Sequence, residues 1–272
     1  MNFQRLQYQV ADLSEAPQLL NIDTSGQARY DSHTNENTSN LPEIGTYETT
    51  LSRAEIQAIE GLLMPLRGLP DHAGRVLSGE RYRRLRVTVA GTMIEKLVGT
   101  RHPVDASLSR ILDGLDQVIV RVRSHPRRVL RLDLGEPAMK SAELLMVPIK
   151  LSNLGTENLA CADPVQLSGS EHGWLSVELS PAHSPATGSA DSVTVHPTSV
   201  EYQATPPANR TISVLELGRG ASAAFRLLVP LAPVHGREYV IRVQFATTVG
   251  RIKDHDVIRG EVVSQTVRLT AP

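Results

Sequence analysis

Short alternations of apolar and polar residues dominate this chain, and they predict strands far more often than helices. In "LQYQV" the apolar positions Leu6, Tyr8 and Val10 are separated by glutamines, as in a strand with one buried face. In "QLLNIDTSGQARYDS" Leu20 and Ile22 precede Thr24-Ser25-Gly26, and Ala28 and Tyr30 follow. That pattern predicts a hairpin whose turn uses the positive φ open to glycine at position 26. Residues 32–40, "SHTNENTSN", carry no apolar side chain and predict a loop.

Two segments switch to helical spacing. "TLSRAEIQAIEGLL" places Ser52 at an N-cap with Glu55 three residues later, a capping box, with Leu51 and Ile56 at the staple positions. Ile56, Ile59, Leu62 and Leu63 form the expected buried stripe, closed by Pro65 and Gly68. "PVDASLSRILDGLDQVIVRV" repeats the pattern with Asp105 as N-cap and Leu108, Ile111, Leu112, Leu115, Ile119 and Val122 on one side. Between them, "RYRRLRVTVAGTMIEKLVG" predicts a strand pair bent at Ala90-Gly91. Leu85, Val87 and Val89 share one face; Arg84, Arg86 and Thr88 share the other. "RRVLRLDL", residues 127–134, returns as a strand.

After Met139 helical periodicity stops. Alternating runs separated by Gly, Pro, Ser, Thr and Asn clusters predict strands at 143–152, 174–179, 193–196, 199–203, 211–217, 223–229, 238–246 and 261–269. The stretch "VPIKLSNLGTENLACADPVQLSG", residues 147–169, reads as a strand, a turn over "NLGTENL", and a sheet edge at "DPVQL".

"SVLELGRGASAAFRLLVPL" followed by "GREYVIRVQFATTV" resembles the later strands of bacterial immunoglobulin-like domains. The resemblance implies that Tyr239, Ile241, Val243 and Phe245 face a core, with Tyr239 near a tyrosine corner; the Cys…Trp…Cys arrangement of antibody domains is absent. It implies no chemistry, because that architecture hosts many functions. The fold class expected is therefore an α+β domain over residues 1–135, two helices on an antiparallel sheet, followed by an immunoglobulin-like β-sandwich over 139–272. The linker falls at "DLGEPAMKS", residues 133–141.

Length agrees with two domains, since 272 residues is long for one core. A net charge of −1 offers no argument for nucleic acid or an anionic membrane, and no run approaches the roughly 18–20 apolar residues of a bilayer span. A single cysteine excludes an internal disulfide. The excess of 24 Arg over 4 Lys points to a bacterial source with a GC-rich genome. "MNFQRLQYQVADLSEAP" lacks the basic and apolar regions of a secretory signal, so the expected location is cytoplasmic, with an exported protein trimmed of its signal as the alternative.

Candidate chemistry reduces on inspection. Cys161 with His172 could form a thiol–imidazole pair, but "LACADP" sets the thiol beside an acid in a β-rich region, where its pKa rises. Ser170 in "GSEHG" lacks the following helix of a nucleophile elbow. "GRGASA", with Gly218, Gly220 and Ala223, matches the loose dinucleotide fingerprint, yet a strand rather than a helix follows. Asp254, His255 and Asp256 in "KDHDVIRG", with loop histidines such as His235, read as surface residues; a weak divalent-metal site there stays open. No catalytic, cofactor-binding or metal-ligating residue is assigned.

The charge features are "RYRRLR" and "RVRSHPRRVLR". Arg84, Arg86, Arg121, Arg123 and Arg127, with Arg128 as the other choice at the last position, could form one face for an acidic protein partner or a phosphate-rich ligand. The alternative is internal pairing with acids such as Glu80, Glu95 or Asp116. RNA-binding sheets add exposed aromatics, and only Tyr82 is at hand. The function expected is a non-catalytic interaction or accessory protein, such as an inhibitor or immunity-type protein masking a partner. Its rivals are a hydrolase with an interdomain site near Cys161, His172 or Asp254, and a structural component of a bacterial assembly or cell surface.

Overall fold

A computed structural model describes residues 2–11, 17–34, 41–73, 80–99, 103–167, 170–182, 192–204, 213–231 and 238–270. The chain is mostly strand, arranged in large antiparallel sheets. It divides by packing into two compact units, one of residues 1–33 and 46–127, the other of residues 34–45 and 128–272. Of the linker expected at 133–141, only residues 135–137 lie outside strands; 133–134 end the strand Pro126–Leu134 and 138–141 form the strand Ala138–Ser141. Among the described residues no helix is long and apolar enough to cross a membrane.

The first unit is built from β1 (Arg5–Ala11), β2 (Gln18–Asp23), β3 (Gln27–Ser32), most of β4 (Glu43–Thr50), α1 (Arg53–Leu62), β5 (His72–Ala73), β6 (Tyr82–Val89), β7 (Thr92–Gly99) and α2 (Ala106–Arg123). Its strands run in the order β4-β3-β2-β1-β6-β7-β5. The expected β2–β3 hairpin is present, with Gly26 at φ 83° and the Asp23 carboxylate accepting from Ser25 and Gln27 backbone N–H groups. The β6–β7 hairpin turns on Ala90 and Gly91, both at positive φ, the conformation a two-residue loop needs to follow the strand twist.

The capping box at Ser52 and Glu55 forms as expected, and Asp105 caps α2 through Ser107 and Leu108 N–H groups. Of the α1 stripe, Ile59 and Leu63 are buried while Ile56 and Leu62 are half-buried. A 3₁₀ turn, Met64–Gly68, follows where Pro65 ends the α-helical ladder. Both helices lie on one side of the sheet, over Leu6, Tyr8, Leu20, Ile22, Tyr30, Leu85 and Val87. Tyr8 pins α2 to this face, its hydroxyl donating to Asp116 at 2.9 Å. Burial is the main cause that raises the Asp116 carboxyl above its ordinary range; the Arg83 guanidinium at 3.1 Å acts in the opposite direction.

The second unit contains β8 (Pro126–Leu134) from Arg128 on, β9 (Ala138–Ser141), β10 (Leu144–Asn153), β11 (Leu159–Ala162), β12 (Gly173–Pro181), β13 (Val193–Val195), β14 (Ser199–Tyr202), β15 (Val214–Leu217), β16 (Ser222–Pro230), β17 (Glu238–Thr247), β18 (Arg251–Ile252), β19 (His255–Asp256), β20 (Gly260–Val263) and β21 (Val267–Thr270). One set of strands runs β14-β16-β10-β8, another β13-β12-β17-β20, with β21 also on β17. Leu145, Val147, Ile149 and Leu151 of β10, Phe225, Leu227 and Val229 of β16, Val177 and Leu179 of β12, and Ile241, Val243 and Phe245 of β17 fill one core. Tyr239 is buried at the start of β17.

Two expectations fail locally. "DPVQL" is not a sheet edge: Pro164 has no N–H for a ladder, and the Asp163 carboxylate accepts from Val165 N, so Pro164–Gln166 closes as a 3₁₀ turn. The strand expected over 261–269 is two strands. Ser264 interrupts it, its hydroxyl accepting from Val243 N at 2.9 Å and donating to Gln265 O at 2.8 Å. Residues 35–40 of the expected loop lie outside the described residues, as do 211–212 of the strand expected over 211–217.

Candidate functional site

The first unit's sheet has a second face that the helices do not cover. Alternation sends Gln7 and Gln9 of β1, Asn21 of β2, Arg29 and Asp31 of β3, Thr46 and Glu48 of β4, Arg84 and Arg86 of β6 and Glu95 of β7 to this side. Cross-strand contacts lock these groups together. Gln7 Nε2 donates to Asn21 Oδ1 at 2.9 Å, and Gln9 Nε2 donates to the Tyr82 hydroxyl at 3.2 Å. Arg29 donates to both Asp31 carboxylate oxygens and stands 3.5 Å from Glu48; the Asp31 hydrogen bonds hold its guanidinium still more firmly protonated. Arg84 and Arg86 flank Glu95 at 3.3 and 2.9 Å. The result is a wide polar surface whose charges are already positioned.

The five arginines singled out from the sequence are not brought together. Arg84 and Arg86 lie on the open face, as does Arg127, which pairs with Glu48. Arg127 joins at β4, four strand spacings or about 19 Å from β6. Arg121 and Arg123 belong to the helix side: Arg121 reaches Glu55 of α1 at 3.4 Å, and Arg123 stacks 5.7 Å from the centre of the Tyr47 ring. The β-sheet separates the two groups because Glu48 and Tyr47 are adjacent on β4 and point to opposite faces. Arg128 belongs to the second unit, where its Nη2 donates to Asp256 O at 3.4 Å. Of the acids expected as internal partners, Glu95 takes Arg84 and Arg86, and Asp116 takes Arg83.

Cys161 lies in β11, opposite Leu215, with no exposed surface. Burial, then the neighbouring Asp163, pushes its thiol pKa far up, so the thiolate that a nucleophile requires is suppressed. The native thiol should therefore stay unmodified by a water-soluble thiol reagent that titrates one group per chain in urea. Fast stoichiometric labelling of the folded protein would mean that the core around β11 opens readily.

His172 sits in the turn before β12, its Nδ1 buried without a hydrogen-bond partner, and Ser170 caps that turn by accepting from His172 N. "GRGASA" is a turn: Ala221 N donates to Gly218 O, Gly220 takes φ 68°, and β16 follows. His255 in the β18–β19 hairpin pairs with Glu216 at 2.8 Å, while Asp254 and Asp256 are exposed. Among the described residues no three His, Cys, Asp or Glu side chains converge as metal ligands. His235 lies outside the described residues.

What the charge clusters did not point to is Arg5. It occupies the exposed end of β1, in a shallow depression of about 390 Å³ lined with Asn21, Asp23, Gln27, Arg29 and Glu48. Its signal in the sequence was the polar half of the β1 alternation, Arg5-x-Gln7-x-Gln9. That half acquires meaning only once β1 is seen at the middle of the sheet.

No family model matches the sequence, and no curated protein matches it. Among solved structures the chain is similar to the archaellum periplasmic stator protein complex FlaF and FlaG from Sulfolobus acidocaldarius, at 11% identity and a TM-score of 0.24, over 51% of this chain and 87% of that chain. At that TM-score the likeness assigns neither fold nor function.

Proposed function

We propose that the chain is a non-catalytic interaction protein that joins an α+β unit to an immunoglobulin-like β-sandwich, and that the open sheet face of the first unit receives an acidic partner protein. The observation that carries this reading is the preorganised face itself. Six strands present interlocked Arg, Asn, Gln, Asp and Glu side chains opposite a helix-covered core, so a partner meets charges that need little further ordering. The immunoglobulin-like part of the reading is supported by strand order. β8, β10, β16 and β14 follow the A-B-E-D order of such a domain, and β13, β12, β17 and β20–β21 follow C′-C-F-G. The burial of Cys161 supports the non-catalytic part.

The test is charge exchange across β6 and β7. Arg84→Glu with Arg86→Glu should weaken capture of the native partner by about 2 kcal/mol or more. Because both arginines flank Glu95, adding Glu95→Arg restores opposite charges across the strand pair. The triple variant should recover the thermal midpoint but not the binding. If the triple variant binds as the wild type does, the open face is not the docking surface.

A further inference from the structure

Most charges on the open face are engaged by their neighbours. Arg29 is held by Asp31 and Glu48, Arg127 by Glu48, and Arg84 and Arg86 by Glu95. One oxygen of the Asp23 carboxylate, Oδ1, is occupied by its own turn: it accepts from Ser25 N, the Ser25 hydroxyl and Gln27 N, and the Ser25 hydrogen bond is the main cause that holds the carboxyl below its ordinary range. Arg5 differs. It is directly opposite Asp23 across the β1–β2 ladder, yet it has no hydrogen bond or ion pair among the described residues. It is exposed, and it borders the depression with Asn21, whose Oδ1 is occupied by Gln7 while its Nδ2 hydrogens have no acceptor among the described residues. Of the two carboxylates at the rim, Glu48 is engaged through both oxygens, by Arg29 and Arg127, and Asp23 through Oδ1. What the depression offers to a visitor is an arginine fork and an amide N–H₂ that are not hydrogen-bonded to its rim, beside Asp23, whose Oδ2 accepts no hydrogen bond among the described residues.

We propose that Arg5 is the anchor of the docking surface, its guanidinium taking a side-chain carboxylate of an acidic polypeptide segment laid across the open face. This rests on the reading of that face as the partner surface and narrows it to one point. A guanidinium presents two parallel N–H donors to a carboxylate, so the contact is directional as well as electrostatic. A volume of about 390 Å³ admits one or two side chains. Gln7 and Gln9 follow Arg5 on the same face of β1, so an extended segment running along that strand meets amides after its carboxylate.

The probe is a fluorescein-labelled hexaglutamate peptide, followed by anisotropy at low ionic strength, with hexaglutamine as the uncharged control. Wild-type protein should bind hexaglutamate saturably, and Arg5→Glu should weaken binding at least about tenfold. Arg110→Glu makes the same change of net charge on the exposed side of α2 and should stay within about twofold of wild type. Arg5→Gln, which keeps a polar N–H donor and removes the charge, takes the place of Arg5→Glu should the latter fold poorly, and it too should weaken binding where Arg110→Gln does not. Equal weakening by Arg5→Glu and Arg110→Glu, no saturable binding by wild type, or saturation by inorganic phosphate without response to the peptide would each overturn the proposal. If Arg5→Glu still captures the native partner while the Arg84, Arg86 and Glu95 triple variant does not, the open face stands as the docking surface and Arg5 is not its anchor.

Discussion

Gly45→Ala should be among the most damaging single-methyl substitutions in the chain, costing about 4 kcal/mol or more. Gly45 interrupts β4 at φ 145°, a conformation that side chains rarely adopt. A Cβ built there would stand 2.1 Å from the Arg128 carbonyl oxygen, 2.8 Å from Val129 Cα and 3.0 Å from the Arg128 carbonyl carbon. All three are backbone atoms of β8, so no rotamer change relieves the contact. The strands must separate or the φ must change. Either outcome disturbs the neighbouring Leu132 N–H to Pro42 O bond and the burial of Ile44, Leu130 and Leu132. Backbone strain alone accounts for about 1–3 kcal/mol, and the rest comes from this ladder and its core. Against a total stability of about 5–15 kcal/mol, such a loss is large. Gly91→Ala is the matched control: Gly91 also has positive φ, 77°, but its Cβ would meet nothing within 4 Å. It should cost only about 1–2 kcal/mol. Urea midpoints followed by circular dichroism read both variants, and equal losses would mean that the contact with β8 is not what Gly45 relieves.

The same glycine explains why β4 was not legible in the sequence. "EIGTYETT" places Ile44 and Tyr47 on buried positions three apart, which breaks a period of two, and Gly45 is the residue that absorbs the extra step. Where alternation was regular, in β1, β2, β3, β6, β10, β16 and β17, the strands were readable to within about two residues. The capping box at Ser52 and Glu55 and the Gly26 turn were readable because each is a local contact between near neighbours in sequence. β11 was hidden for a different reason: "LACA" is buried at all four positions and has no polar phase to alternate.

The candidate surface shows the limit most clearly. Arginine density along the chain suggested one patch, but density is not position. Arg121 and Arg123 end α2 while Arg84 and Arg86 lie on β6, and whether they meet depends on which side of the sheet the helix occupies. Tyr8 settles that side through Asp116. Strand order carries the rest. β1 pairs with both β2 and β6, so Gln7 stands between Asn21 and Arg86, and Arg5 between Asp23 and Thr88, although the sequence separates them widely.

Asn153→Asp should be the other severe substitution, and its cost should depend on pH. Asn153 ends β10 and is 1% exposed. Its Nδ2 faces three carbonyl oxygens, those of Glu157 at 2.7 Å, Leu217 at 3.0 Å and Gly218 at 3.1 Å, while its Oδ1 accepts from Gly155 N at 2.9 Å. One side chain thus ties the turn after β10 to the turn after β15. Aspartate has the same shape but turns the donor into an acceptor and brings a buried negative charge against three oxygens. Asn153→Ala removes the hydrogen bonds and should cost about 3 kcal/mol through the groups it leaves unsatisfied. Asn153→Asp should cost about 1–2 kcal/mol more than alanine near neutral pH, because the charge adds to the loss. Burial and the carbonyls both disfavour the charged carboxylate, so its pKa in the folded protein must lie above that in the unfolded chain. The folded variant then binds a proton more tightly than the unfolded one, and its stability rises as pH falls from neutral through that raised value. Protonation also returns one O–H donor to the three carbonyls. Urea unfolding of wild type, Asn153→Ala and Asn153→Asp should therefore show the aspartate variant least stable near pH 7 and closing the gap to alanine below about pH 5. A gap between the two variants that does not change with pH would mean that the aspartate leaves the site and faces solvent, and that the turns after β10 and β15 can part without the rest of the core.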